Sequence, residues 1–334
     1  MNNTLKAFKD IFQSLQMHFT GTDGNTYTGK DVQNILKAYI FNGEKEPVSE
    51  EKDMIMHLGI YKEQVNKRLQ EMERAQFALR FWKKDPTLWK REKSNKDIES
   101  FMGWLNVNEE MQDRVEEIEN FTQKVKNKGF KRVVLLGMGG SSLAPYVFTK
   151  TFSYNENGLI LHVLDSTHPQ AIEDVEFKVP LEYTLFLVSS KSGTTAEVNA
   201  LFEYFYAKIK TIKGRKAGEN FVAITDPGSP LVALSEKLRF AHTFINFEDI
   251  GGRYSAISYF GLVPASLMGI DIAEMLSRSS LMVRRSTPDV PVIQNPGLKL
   301  GGTLAELALH GKNKLNIISS SSLSSMVMWI EQLV

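Results

Sequence analysis

Between Lys131 and Ile245 short, unbroken apolar runs alternate with stretches of helical spacing, and that alternation constrains the fold more than any other feature. The runs are Val133–Leu136, Leu159–Leu164, Thr184–Val188, Phe221–Ile224 and a weaker Ala241–Ile245. A half-exposed strand would alternate apolar with polar residues. Continuous runs instead suit strands covered on both faces. Helical spacing falls between them, at Leu143–Phe152, Gln170–Glu176, Ala196–Ile212 and Ser229–Leu238. Strand and helix in turn predict an α/β chain, a three-layer α-β-α sandwich around a doubly wound parallel sheet. Ligands of such sheets sit beyond the carboxyl ends of the strands. Here those ends carry polar, glycine-bearing stretches.

The flanking segments read differently. Residues 1–128 form a helical N-terminal region, with helical spacing at Leu5–Phe19, Lys30–Phe41, Met54–Trp82, Ser94–Leu105 and Glu109–Lys128. The stretch 20-TGTDGNTYTG-29 breaks that pattern, and 42-NGEKEPVSEEK-52 reads as a solvated connector. The first α/β domain covers 129–290 and ends in helical residues 254–285, broken near Pro264 and Gly269. Residues 291–334 read as the incomplete beginning of a second α/β domain: a helix over 298–311, a strand over 315–320 and a helix from Leu323. A length of 334 residues, 42% hydrophobic, suffices for two domains with a full core.

Composition removes several classes of function. Forty Lys and Arg against 39 acids leave a formal charge of +1, so neither nucleic acid nor an anionic membrane is expected as a partner. The absence of cysteine excludes disulfides, thiolate metal sites and a cysteine nucleophile. No unbroken apolar stretch has membrane-spanning length, and MNNTLKAFKD lacks the apolar core of a signal peptide. A cytoplasmic location is expected.

Three corners could carry chemistry. The first is 137-GMGGSS-142, directly after an apolar run, where a strand, tight turn and helix start would aim amides and a helix dipole at an anion. The same glycines would also serve close packing alone. They nearly satisfy the dinucleotide-binding pattern, with Ser142 in place of the third glycine and Asp165 closing the next strand. Asp165-Ser166-Thr167 reads equally as a helix cap, as does Asp226-Pro227. The second corner, 189-SSKSGTTAE-197, gathers five hydroxyls, a lysine and a glycine before a helix, which are the donors a phosphate monoester needs. No Gly-x-x-x-x-Gly-Lys-Ser/Thr pattern marks a nucleotide-hydrolysing loop. The third, 250-IGGRYSAIS-258, sets Arg253 beside two glycines. That guanidinium could clamp a phosphate or stabilise a developing oxyanion, or it could be a surface arginine after a tight turn.

GMGGSSLAP, SSKSGTTAE and IGGRYSAIS, in this order, resemble the phosphoglucose isomerase family, within the wider group of sugar-isomerase (SIS) domains. The run from about Ile60 to Val334 is similar to the isomerase half of bacterial transaldolase–phosphoglucose isomerase fusions. The resemblance implies cofactor-free and metal-free interconversion of glucose 6-phosphate and fructose 6-phosphate, by proton transfer between C2 and C1 through a cis-enediol. It implies that Ser190, Lys191, Ser192 and Thr195 hold the phosphate and that Glu197 is an acid beside that loop. Gly140 and Ser141 would touch the sugar, with Gly252 alongside, and Arg253 would stabilise the enediolate. Gln332 matches a glutamine that precedes the carboxylate base of a Glu-Ser-x-Gly-Lys motif; the base would then fall about two residues past Val334. The resemblance therefore implies a chain truncated at its C-terminus and inactive alone. It also implies a homodimer whose site borrows a histidine from the partner. A non-catalytic phosphosugar-binding SIS module and a dinucleotide-binding oxidoreductase stand as the alternatives.

Overall fold

In the computed structural model of the chain, residues 18–20, 26–28, 56–89 and 100–334 are described. Two compact units divide them. One takes the described residues up to Leu79 together with Arg285–Lys314, and the other takes Arg80–Arg284 together with Leu315–Val334.

In the first unit, β1 (His18–Thr20) pairs antiparallel with β2 (Thr26–Thr28). The helical pattern expected to reach Phe19 therefore gives way to a strand at its end, and the expected break at 20–29 contains the paired strand Thr26–Thr28. The rest of that helix and the one over 30–41 lie outside the described residues. The long helix expected over 54–82 is α1 (Lys62–Arg74) and then α2 (Phe77–Trp82), parted where Gln76 takes a left-handed φ of 51°.

The second unit holds the sandwich. Its elements are α3 (Val107–Gln112), α4 (Val115–Asn127), β3 (Arg132–Gly137), α5 (Gly140–Thr151), β4 (Ile160–Leu164) and α6 (Pro169–Lys178). They continue with β5 (Thr184–Ser189), α7 (Ala196–Lys213), β6 (Phe221–Thr225), α8 (Pro230–Leu238), β7 (His242–Ile245), α9 (Tyr259–Leu267) and α10 (Ile272–Arg285). Back in the first unit, α11 (Pro296–Leu309) lies against α1 around Val65 and Leu69, with Arg68 paired to Glu306 at 2.8 Å. The last element, α12 (Met326–Leu333), belongs to the second unit.

All pairings in the larger sheet are parallel, in the order β4-β3-β5-β6-β7. Successive residues of each strand point to opposite faces, so each apolar run feeds two cores. Val133, Leu135, Leu185, Leu187, Val222, Ile224 and Phe244 pack with α4 and α9. Val134, Leu136, Phe186, Val188, Phe221 and Ala223 pack with α7 and Leu231 of α8. β5 and β6 are buried along their whole length, as the continuous runs require.

Where β5 begins, the fold also depends on a polar tie. Asn220 is fully buried, and its amide donates to the carbonyls of Thr184 at 2.8 Å and Glu182 at 3.2 Å. An Asn220→Ala variant is expected to lose about 1–3 kcal/mol of stability, because those carbonyls would stay buried without a donor. Denaturant unfolding measures it, and a change within error would refute the tie.

Three further expectations are corrected. Pro264 does not end the helix after residue 254: it lies inside α9, and the break comes at Gly269, where φ is +80°. Every residue of α9 is buried, and that packing offsets the hydrogen bond the proline removes. Residues 109–128 form two helices rather than one, turning at Asp113–Arg114. Residues 315–320 are not a strand. Leu315 and Ile318 are exposed, and no described strand lies beside them to complete a ladder. The expected helix over 94–105 falls mostly outside the described residues; of its described end Ser100 is helical, and a bridge at Met102 and a single 3-10 turn over Gly103–Leu105 follow.

Candidate functional site

β3 and β5 are neighbours whose carboxyl ends are level, with Gly137 paired to Ser189. From β3 the chain moves outward to β4, whereas from β5 it moves the other way to β6. The loops leaving these two strands therefore part, and the crevice of a doubly wound sheet opens between them. The first two sequence motifs are those loops.

The first loop needs its glycines for two separate reasons. Gly139 has φ +54° and ψ −122°, a conformation that L side chains rarely adopt. A Cβ on Gly140 would lie 2.3 Å from the carbonyl oxygen of Gly252 and 3.0 Å from the amide nitrogen of Arg253. The third corner is thus seated on the first, backbone against backbone. Ser255, buried, fastens the seat by donating its hydroxyl to the Gly252 carbonyl at 2.7 Å and the Gly140 carbonyl at 3.4 Å. Ser142 is buried and donates to the Gly139 carbonyl at 3.1 Å, so the residue at the third-glycine place holds the turn together. Ser141 remains half-buried at the helix start, and its carbonyl accepts from the Ser189 hydroxyl at 3.4 Å.

The hydroxyl-rich loop is braced from inside. Ser190 is buried; its Oγ lies 3.0 Å from the Thr195 hydroxyl and accepts from the Gly193 amide at 3.2 Å. Ser192 is exposed and accepts from the Thr194 amide at 3.2 Å. Thr195 is the N-cap of α7 without a side-chain hydrogen bond to the helix. The helix start and the outward hydroxyls therefore form one donor surface beside the first loop.

Lys191 does not offer a free cation. Its ammonium bonds the Asp226 carboxylate and, at 2.8 Å, the Glu248 carbonyl. Burial pushes the Asp226 carboxyl above its ordinary value, and the lysine beside it pulls the other way. Asp226, expected as a helix cap, is instead the anchor that ties the hydroxyl-rich loop to the end of β6; Ser229 occupies the cap position of α8. Removing one partner strands the other in a mostly buried place. Lys191→Met is expected to cost about 2 kcal/mol, after discounting for the partial exposure of both groups. Lys191→Met combined with Asp226→Asn should recover most of that in thermal unfolding. A double variant as unstable as the single one would show that the pair is not the tie.

The remaining expected residues fall as follows. Arg253 lies in the single 3-10 turn Gly252–Tyr254, exposed, and makes no hydrogen bond or ion pair with a described residue. Gln332 of α12 reaches the first loop: its Nε2 is 3.2 Å from where a Cβ of Gly139 would stand, and its Oε1 is buried without a partner. Glu197 is exposed in the first turn of α7, and no hydrogen bond or ion pair links it to the other residues named here. Gly140, Ser141, Gly252, Arg253 and Gln332 are thus gathered, with Ser190–Thr195 adjoining. Asp165, the dinucleotide marker, is exposed beyond the edge strand β4, and the cap of α6 is His168, which accepts from the Gln170 amide at 3.2 Å. No group of three His, Asp or Glu side chains suited to a metal ion occurs among the described residues.

Residues 88–307 match the family model described as phosphoglucose isomerase. The chain belongs to the phosphoglucose isomerase family. A glucose-6-phosphate isomerase of a Cyanothece strain is 33% identical over 240 residues, which are 67% of this chain and 44% of that protein. A Thermus thermophilus protein of the same name is 30% identical over 235 residues, 70% of this chain and 54% of the relative. Among solved structures, a hypothetical protein of Thermus thermophilus superposes with a TM-score of 0.66 at 27% identity, over 82% of this chain and 61% of that one. A glucose-6-phosphate isomerase of Chlamydia trachomatis shares the fold at a TM-score of 0.54 and 24% identity, over 77% and 47% of the two chains. The matches thus span about half or less of the curated relatives' lengths. Family membership leaves the dinucleotide reading of Gly137–Ser142 without support.

Proposed function

We propose that this chain supplies the sugar-phosphate grip and the oxyanion-stabilising arginine of a glucose-6-phosphate isomerase, which interconverts glucose 6-phosphate and fructose 6-phosphate. One observation carries the reading. An exposed guanidinium without a hydrogen-bond or ion-pair partner among the described residues is locked, through the Gly140–Gly252 seat, to a crevice whose other wall is a hydroxyl-rich helix start. Ser192, Thr195 and the amides around them hold the phosphate, with Ser190 bracing them and Lys191 tying the loop down. Gly140, Ser141, Gly252 and Gln332 line the sugar, and Glu197 stands beside the phosphate loop.

The chemistry follows from charge. A carboxylate base takes the C2 proton, the electron pair of that C–H bond enters the C1–C2 bond, and the carbonyl electrons move onto oxygen. Negative charge grows on that oxygen, where a fixed guanidinium stabilises it more than the ground state. Moving the O2 hydroxyl proton to O1 and returning the abstracted proton to C1, as the C2–O2 bond becomes the carbonyl, yields the ketose. In this proposal the protein acts as a homodimer, without metal or cofactor. It is cytoplasmic; consistently, no helix among the described residues is long and apolar enough to cross a membrane.

One observation favours a phosphosugar-binding module instead: among the described residues no carboxylate is paired with Arg253. Proton NMR of glucose 6-phosphate in deuterated water with the protein separates the two. Isomerase activity predicts fructose 6-phosphate carrying deuterium at C1. Tight binding without exchange or conversion would leave the module. Absence of both would end the sugar-phosphate reading.

A further inference from the structure

The segment Phe101–Leu105 belongs to none of the three corners, yet it touches two of them. The Phe101 ring stands 5.8 Å from the Lys191 ammonium of the hydroxyl-rich loop. Met102 forms an antiparallel bridge with Ile250, and the Gly103 amide donates to the Asp249 carbonyl at 2.9 Å. Trp104 stacks on Tyr254, with centroids 5.3 Å apart and planes 22° from parallel. Trp104 also meets Phe81 at a steep angle, and Phe81 in turn meets Trp89, so the stack belongs to a larger aromatic cluster. A Cβ at Gly103 would lie 2.1 Å from the Asp249 carboxylate, so a larger residue there would have to turn that side chain aside.

Arg253 is the residue next to Tyr254 in a turn of three residues. Such a short turn has little stiffness of its own, and a long exposed arginine loses much conformational freedom when it must hold one position. The Gly140 seat fixes the turn through its backbone, at Gly252 and through the Ser255 hydroxyl. At its other end the turn is also held by the ring of Tyr254 lying flat on Trp104.

We infer that Phe101–Leu105 is a strap that sets the two anion-binding corners, and that Trp104 is a positioning residue for Arg253, acting through its stack on Tyr254. This rests on the isomerase reading of Arg253. The role asks for a flat aromatic surface at position 104, and not merely for bulk.

The test compares two probes that share a phosphate and differ at the reacting end: gluconate 6-phosphate, anionic at C1, and glucitol 6-phosphate, neutral there. Affinity for both is measured by calorimetry, with unfolding temperature as the control for folding. The wild-type chain is expected to prefer the aldonate. Trp104→Leu should reduce that preference roughly three- to tenfold, the factor to which one aromatic stack corresponds, and leave the alditol affinity within about twofold. Trp104→Phe should restore the preference. Tyr254→Leu should reproduce the loss, and adding Trp104→Leu to it should cost little more.

A preference unchanged in Trp104→Leu, while the wild type shows one, would overturn the strap and leave the isomerase reading standing. Equal losses for both probes would also overturn it, because they would mark a general structural role. If Trp104→Leu does not fold, the Trp104→Phe and Tyr254→Leu pair decides the matter by the same criterion. A wild type that binds glucitol 6-phosphate without preferring gluconate 6-phosphate would remove the role of Arg253, and the strap's purpose with it.

Discussion

Under the proposed isomerase function, Arg253→Ala is expected to lower turnover about 10²–10³-fold, the usual consequence of removing one preorganised donor from a developing oxyanion. Affinity for the substrate should change far less. In the proposed reading the phosphate is held at the other wall of the crevice by Ser192, Thr195 and the start of α7, none of which hydrogen-bonds Arg253. An interaction made mainly in the transition state lowers kcat and kcat/KM together and spares KM. Arg253→Lys should recover only part of the loss: the charge returns, but a compact ammonium on a flexible stem does not reproduce a planar fork. Steady-state kinetics of the three proteins check this, with gluconate 6-phosphate as an independent probe of charge recognition. A variant that loses KM and keeps kcat would place Arg253 on the phosphate. One that keeps both would make it a surface arginine.

The sheet was legible because its strands are buried on both faces. Each continuous apolar run coincides with a strand to within a residue at either end, from Val133–Leu136 inside β3 to Ala241–Ile245 over β7. The three corners were legible too, since glycine, hydroxyls and arginine at strand ends have few structural uses in such number. Other features depend on partners distant in sequence. Lys191 reads as a phosphate cation until the fold brings Asp226 and the Glu248 carbonyl to it. Trp104 reads as an ordinary apolar residue until it lies on Tyr254, 150 positions away by residue number. Gln76 gives no local sign that a helix will break there, since a left-handed backbone is uncommon for a residue of its type. The strand expected over 315–320 fails for the opposite reason. Its local pattern is adequate, but a strand exists only in a ladder, and the described residues provide none.

The same distinction yields a prediction at the glycines, which look alike in sequence and are not alike in space. A methyl group on Gly140 must displace the Gly252 carbonyl, 2.3 Å away, and that carbonyl belongs to the turn carrying Arg253. Backbone cannot rotate aside as a flexible side chain can, so the two corners must separate by about an ångström. Misplacement on that scale costs on the order of a hundredfold in rate, alongside an overpacking penalty of roughly 1–3 kcal/mol. Gly140→Ala is therefore expected to lower kcat about a hundredfold and to reduce the preference for gluconate 6-phosphate over glucitol 6-phosphate. Gly252→Ala meets nothing nearer than the Gly140 Cα at 3.9 Å, and Gly251→Ala only the Tyr254 ring at 3.5 Å. Both should keep the stability of the wild type to within about 1 kcal/mol, since these are ordinary contact distances that cost little. Severe loss in either of the latter, with Gly140→Ala mild, would mean that the third corner is seated elsewhere. If Gly140→Ala proves harsh, Ser255→Ala should reproduce a fraction of its effect. The Ser255 hydroxyl bonds both halves of the seat, and its removal loosens the joint without forcing it apart.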